Sequence, residues 1–415
     1  MSVVARRVSG PGPAPLGEPA RVAAMDVLRG VALFGILLMN LEGFAGPPAA
    51  MGTGVDPALS GADRWVDAAI YVLVQGKFIA LFSLLFGAGF AGLASRAERE
   101  RWALGPVWLR RCIGLLVIGL AHALLVWSGD ILVTYALCGL LLLAFREVLG
   151  GVLAWIGAAL FLVPAGILLG VAAMGASLAS DPAWQQALHH QVVQTQLHTH
   201  AQVQAYAHGG FLAATRQRAD DLLANLQVLP VNGAQVFGLF LIGGWLGGVI
   251  AEPTRHARAL RIMRWFALPA GLVAMGVSAW LAPWVGPGRA DLRTCLGGAL
   301  ASAASLPICL GYVAWTLRWL QARASCDGLP AGLAAAGRLA LSNYLLQSLV
   351  CTAVFYGYGF GAFGLARRWQ LPFALVLFAM QLGLSRWWIA RGRRGPAEWA
   401  LRALAYARVP RRAMR

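Results

Sequence analysis

The chain has 415 residues, 59% of them hydrophobic and 12% charged, with a mean hydropathy of +0.66. A soluble domain carries about a quarter charged residues, so this composition excludes an ordinary soluble fold. The net charge of +17 does not indicate nucleic acid, because the arginines stand in short gaps between apolar runs rather than on one polar domain.

Residues 1–20 form a Pro/Gly-rich tail, expected to be disordered. The first apolar run, 22–41, contains Asp26 and Arg29 and is too long for the apolar stretch of a cleaved signal peptide. Nine further runs follow at 65–95, 107–127, 130–146, 150–175, 231–251, 264–285, 294–320, 334–358 and 369–391. The pattern predicts an all-α, polytopic transmembrane bundle of about ten spans. It divides into an N-terminal five-helix half, 21–175, and a C-terminal five-helix half, 231–392. Arginine-rich gaps at 96–111, at 255–264 and from 386 onward alternate with gaps poor in arginine. By the positive-inside rule both termini are cytoplasmic.

The polar segment 176–230 falls on the periplasmic side. It carries His189, His190, His198, His200 and His208, without i, i+4 pairing and without interleaved carboxylate or thiol ligands, so no metal is expected. A solvated helix over the bundle, able to act as a lid, is the simpler expectation. Cys112, Cys138, Cys295, Cys309, Cys326 and Cys351 lie in or beside apolar runs with no CxxC spacing, which argues against disulfides. Residues 393–415 read as a basic interfacial helix and tail, with Trp399, Leu404 and Tyr406 for the bilayer interface.

Polar groups inside apolar helices are costly and mark candidate chemistry. Asp26 and Arg29 share a face as an ion pair, and Asn40 lies eleven residues beyond Arg29 on nearly the same stripe, ~16 Å away. Lys77 is the only lysine of the chain. His122 precedes, and Asp130 follows, a short turn around residues 127–129 that joins two apolar arms. Asn40, Lys77, His122 and Asp130 are therefore expected at similar depth, on four consecutive helices. An imidazole oriented by a carboxylate, beside a cation and an amide, suits proton transfer and stabilisation of developing negative charge. Each also has a purely structural explanation: Asp130 as a helix cap, His122 as a bond between helices. The ninth run adds Arg338, Asn343 and Gln347, with Ser342 and Ser348 beside them and Gln381 and Ser385 in the last run. These either glue helices or wall a cavity.

The strings MDVLRGVALFGILLMN, QGKFIALFSLLFGAGF, RRCIGLLVIGLAHALLVWSGDILVTYALCG, GRLALSNYLLQS, FYGYGFGAFG and RGPAEWALRALAY resemble the YeiB-type family of bacterial inner-membrane proteins, a family of unknown function. That family is distantly similar in layout to transmembrane acyltransferases such as heparan glucosaminide acetyltransferase and the surface-polymer O-acetyltransferases. The resemblance implies an acyl-CoA donor in the cytoplasm, its phosphates held by Arg29 and Arg338, and a small-molecule or glycan acceptor at the periplasmic side. The surface-polymer enzymes carry Arg and, eleven residues later, His in their first helix; here Arg29 is followed by Asn40, so His122 has to supply the base from another helix. The rival reading is a proton-coupled secondary transporter or exporter of a small metabolite, with the same ionisable residues as its site. Bilayer lipid is the expected surrounding and a homo-oligomer is compatible with either reading.

Overall fold

A computed structural model of the chain describes residues 23–145, 150–323 and 327–407. The expected tail 1–20, Cys326 and the basic end 408–415 lie outside the described residues. Among the described residues the protein is helical and contains no strand. The helices are α1 (Ala23–Ala45), α2 (Gly61–Leu73), α3 (Lys77–Arg99), α4 (Leu104–Leu125), α5 (Leu132–Leu141), α6 (Gly150–Phe161) and α7 (Val163–Ser177). They continue with α8 (Pro182–Val203), α9 (Phe211–Gln227), α10 (Leu229–Ala251), α11 (Ala257–Ile262), α12 (Leu268–Leu281) and α13 (Leu292–Gln321). The chain closes with α14 (Leu329–Arg338), α15 (Ala340–Phe355), α16 (Arg367–Ala390) and α17 (Pro396–Tyr406).

Eight helical stretches are long and apolar enough to cross a membrane, and two shorter apolar helices lie at Leu132–Phe145 and Ala340–Phe355. Together they coincide with the ten runs of the sequence, so this is a multi-pass membrane protein. The spans differ in how much protein surrounds them. In α1, 72% of the apolar window is buried, against 17% for the stretch formed by α6 and α7. The first helix is thus the centre of the bundle, whereas α6 and α7 present Val152, Trp155, Ile167 and Leu169 outward, as a lipid-facing pair does.

Close backbone contact holds α1 in place. A Cβ on Gly337 of α14 would come within 1.9 Å of the Asp26 carbonyl oxygen, and one on Gly30 within 2.2 Å of the Leu333 oxygen. In the same way Gly87 of α3 packs on Phe240 and Gly243 of α10 on Leu84. Small residues are needed at such contacts because helices in lipid gain from close packing rather than from expulsion of water. Both pairs join one expected half to the other, α1 to α14 and α3 to α10, so the halves interleave in one core.

The polar segment forms two helices. Of α8 only Gln202 is buried, while α9 buries Ala214, Gln217, Arg218 and Asp221 against the bundle. At the other end α17 buries Leu401 and Ala405 and exposes Trp399. Its Glu398 carboxylate accepts hydrogen bonds from the Leu341 and Ser342 backbone N–H groups and from the Ser342 hydroxyl. That places an anion on the orphan donors at the start of α15, where the helix dipole favours it.

Candidate functional site

The turn between α4 and α5 brings His122 and Asp130 together. Their Nδ1 and Oδ2 atoms are 2.7 Å apart, and the two side chains are 2% and 1% exposed. The approach depends on Gly119, one turn before His122: a Cβ there would lie 2.8 Å from the Val133 nitrogen and 3.0 Å from Asp130 Oδ1. The second oxygen of Asp130 accepts from Val133 N–H at 2.9 Å, so one carboxylate both caps α5 and holds the imidazole. With Asp130 ionised, Nδ1 carries the proton and Nε2 is left with its lone pair. Nε2 is buried and has no hydrogen-bond partner among the described residues. The ring centroid of Tyr344 lies 5.2 Å from that of His122, and its buried hydroxyl likewise lacks a partner.

Asn40 is buried, 6% exposed. It lies one helical turn inward of Phe44, whose ring packs on Trp127 at 4.2 Å; Gly43 touches the same indole. Trp127 follows the end of α4, its backbone N–H bonded to the His122 carbonyl. Asn40 is thus linked to the turn after His122 through Phe44 and Trp127.

Lys77 is placed differently. Its ammonium donates to the Tyr71 carbonyl at 2.9 Å and meets Met275 Sδ at 3.5 Å, in the apolar cluster of Tyr71, Met275 and Ile308. Tyr71 is in the last turn of α2, whose free carbonyls attract a cation. Lys77 shares no partner with His122 and Asp130, because the break at Gly76, with φ of 77°, directs the start of α3 toward α12 and α13.

At the opposite end of α1, Arg29 Nη1 and Asp26 Oδ1 form an ion pair at 2.5 Å. Arg338 ends α14, which packs directly on that turn of α1. Asn343 and Gln347 form a ladder with α16: Asn343 donates to Ser385 Oγ at 3.0 Å, Gln347 to Gln381 at 2.9 Å, and Gln381 to the Asn343 carbonyl at 3.0 Å. These amides use their hydrogen bonds on each other, as helix glue does.

Several residues missed in the sequence surround the turn. Asp221 of α9 accepts from Ser128 Oγ at 2.8 Å, Tyr206 Oη at 2.5 Å and the Gln202 and Gln217 amides at 2.9 Å each, and meets His198 Nε2 at 3.0 Å. Burial, and then the Asp221 charge, push the Tyr206 phenol well above its usual range, so it remains a donor. Arg218, fully buried, donates to the Leu125 carbonyl and to Tyr358 Oη, and its guanidinium lies 5.5–5.6 Å from the rings of Phe211, Tyr356 and Tyr358. The polar segment is thus fastened to the turn that carries His122. Further out, Arg367 bridges Glu42 at 3.1 Å and Asp67 at 2.6 Å. Nothing local in the sequence marks these partners, since Arg367 is about three hundred residues from both. The histidines of α8 do not gather: His189 and His190 are exposed and His198 turns to Asp221.

Residues 247–408 match the family model described as protein of unknown function (DUF418). The chain is 32% identical to the uncharacterized protein YxaH of Bacillus subtilis (strain 168), covering 93% of this chain and 94% of that one. It is also 32% identical to the uncharacterized protein YeiB of Escherichia coli (strain K12), covering 92% and 96%. An uncharacterized 39.9 kDa protein of Bacillus acidopullulyticus is 35% identical over 32% of this chain and 36% of its own length. No solved structure matches.

Proposed function

Since this chain belongs to the YeiB-type family of DUF418 membrane proteins, we propose that the His122–Asp130 pair makes it a membrane-embedded acyltransferase. It takes an acyl group from acyl-CoA at the arginine-rich, cytoplasmic side of the inner membrane and delivers it to an acceptor at the periplasmic side. One observation carries the reading: an imidazole fixed at Nδ1 by a carboxylate, with Nε2 buried and unpartnered. That is the arrangement of a general base.

In the proposed step His122 Nε2 takes the proton of an acceptor hydroxyl as its oxygen bonds to the thioester carbonyl carbon. The C–S bond then breaks, the thiolate leaves, and the imidazolium returns the proton to sulfur. Asp130 stabilises the imidazolium between these events. The amide of Asn40 is suited to donate to the carbonyl oxygen as charge develops on it. Arg29 and Arg338, on the packed ends of α1 and α14, would face the CoA phosphates. The ~16 Å between Arg29 and Asn40 matches the reach such a donor needs. Lys77 has no part in this step; it closes the end of α2.

Proton-coupled transport is the second reading. It is favoured by the charged groups Lys77 and Arg367–Glu42–Asp67 within the helical bundle. Radiolabelled acetyl-CoA given to the purified protein in nanodiscs separates the two. Label transferred or thioester consumed by the wild type, and about 10²–10⁴-fold less by His122→Ala, supports the transferase. No turnover by the wild type, or equal turnover by the variant, overturns it.

A further inference from the structure

A groove of about 680 Å³ opens at the arginine-rich end of the bundle, between α3, α10 and the start of α4. Its wall is made of small and apolar residues: Gly87, Ala91 and Ala94 of α3, Gly244 of α10, and Leu142 and Phe145 after α5. At Gly244 an added Cβ would meet Ala91 in ordinary contact at 3.9 Å, so small residues face each other across this wall. It arises because α3 and α10 touch backbone to backbone at Gly87 and Gly243, which brings them together without side chains to fill the adjoining flank.

The mouth of the groove is polar, with Ser95, Glu98 and Trp102. Arg96 Nε donates to Glu100 at 2.6 Å, and Trp102 Nε1 donates to the other Glu100 oxygen at 3.3 Å. Arg96 Nη1 is buried and has no hydrogen-bond partner among the described residues. Arg99 and Arg101, which follow it in the chain, are exposed, as is Arg110 on α4. The arginines of this loop outnumber Glu98 and Glu100, so the mouth attracts an anion, while the wall behind it attracts hydrocarbon.

We propose that the groove holds an acyl chain of an anionic phospholipid of the cytoplasmic leaflet, its phosphate against Arg96 and the neighbouring arginines. The site is on α3, α10 and α4, away from the Arg29–Arg338 end of α1 and α14, so it stands independently of the transferase reading. It would fix the arginine-rich loop at a membrane surface of negative charge and support the loosely enclosed α6–α7 pair from within.

Native mass spectrometry of the full-length protein in detergent, titrated with phosphatidylglycerol or phosphatidylcholine, tests this. The wild type is expected to retain phosphatidylglycerol in preference to phosphatidylcholine, and Arg96→Gln to lose about fivefold of that preference. Ala94→Phe with Gly244→Leu, which fills the groove, is expected to lose both lipids at this site by about tenfold or more. Equal retention of the two lipids by the wild type, or unchanged preference in Arg96→Gln, overturns the proposal. If the filled variant does not fold, Arg96→Gln decides alone, because Arg96 Nε bonds within the end of α3, to Glu100, rather than to another helix.

Discussion

Asp130 shows how one side chain can satisfy two readings at once. Its Oδ1 caps α5 and its Oδ2 holds His122, so the structural and the catalytic explanations are not alternatives. Asp130→Asn separates them. The amide oxygen can keep the cap, but an NH₂ facing Nδ1 favours the tautomer with its proton on Nε2, which is no longer a base. Acyl transfer from labelled acetyl-CoA is expected to fall about 10²–10⁴-fold while the melting midpoint stays near that of the wild type. Wild-type activity in Asp130→Asn would remove the pair from the mechanism. At this scale the sequence marked His122, Asp130, Arg29 and Asn40 by their rarity in apolar runs. It could not mark Tyr344, which looks like an ordinary aromatic of α15 until it is found 5.2 Å from the imidazole.

Among the helices, stability depends on where no side chain is present. Gly337 meets the Asp26 carbonyl so closely that an added methyl cannot be accommodated by any rotamer. Gly337→Ala is expected to cost about 1–3 kcal/mol and to lower the thermal midpoint in detergent. Gly89→Ala is the control: nothing lies within 4 Å of that Cβ, and alanine there should be neutral or stabilising by up to about 1 kcal/mol. Equal midpoints for the two variants would show that α1 and α14 can separate freely. The polar ladders act at the same scale. Asn343, Gln347, Gln381 and Ser385 tie α15 to α16, and Glu398 ties α17 to α15. Both devices satisfy buried donors that lipid cannot satisfy.

For the whole molecule, the testable consequence is orientation. Gln186 on α8 and Arg99 at the end of α3 are exposed at opposite ends of the bundle, while Cys112, Cys138, Cys295, Cys309 and Cys351 are buried. An impermeant maleimide applied to intact cells is expected to label Gln186→Cys directly and Arg99→Cys only after permeabilisation. The reverse pattern would invert the topology and with it the donor side of the proposed reaction. The same arrangement gives α9 its place: Arg218 and Asp221 hold the polar segment on the turn of His122, so anything reaching the imidazole from that side must pass beneath or move it.

By itself the sequence determined the apolar runs and the arginine asymmetry, since hydrocarbon thickness and charge cost act on each run separately, but not the breaks at Gly76 and Leu339 that divide two of those runs. It also brought out the His122–Asp130 pair, because eight residues around a tight turn leave few relative positions. Tertiary structure alone decided that Lys77 faces Met275 rather than His122, that Arg367 joins Glu42 to Asp67, and that Asp221 accepts from Ser128, Gln202, Tyr206 and Gln217. Depth along a helix can be counted from sequence, but the direction a side chain takes around the bundle depends on helix kinks and crossing angles. Those are set by glycine contacts between segments hundreds of residues apart.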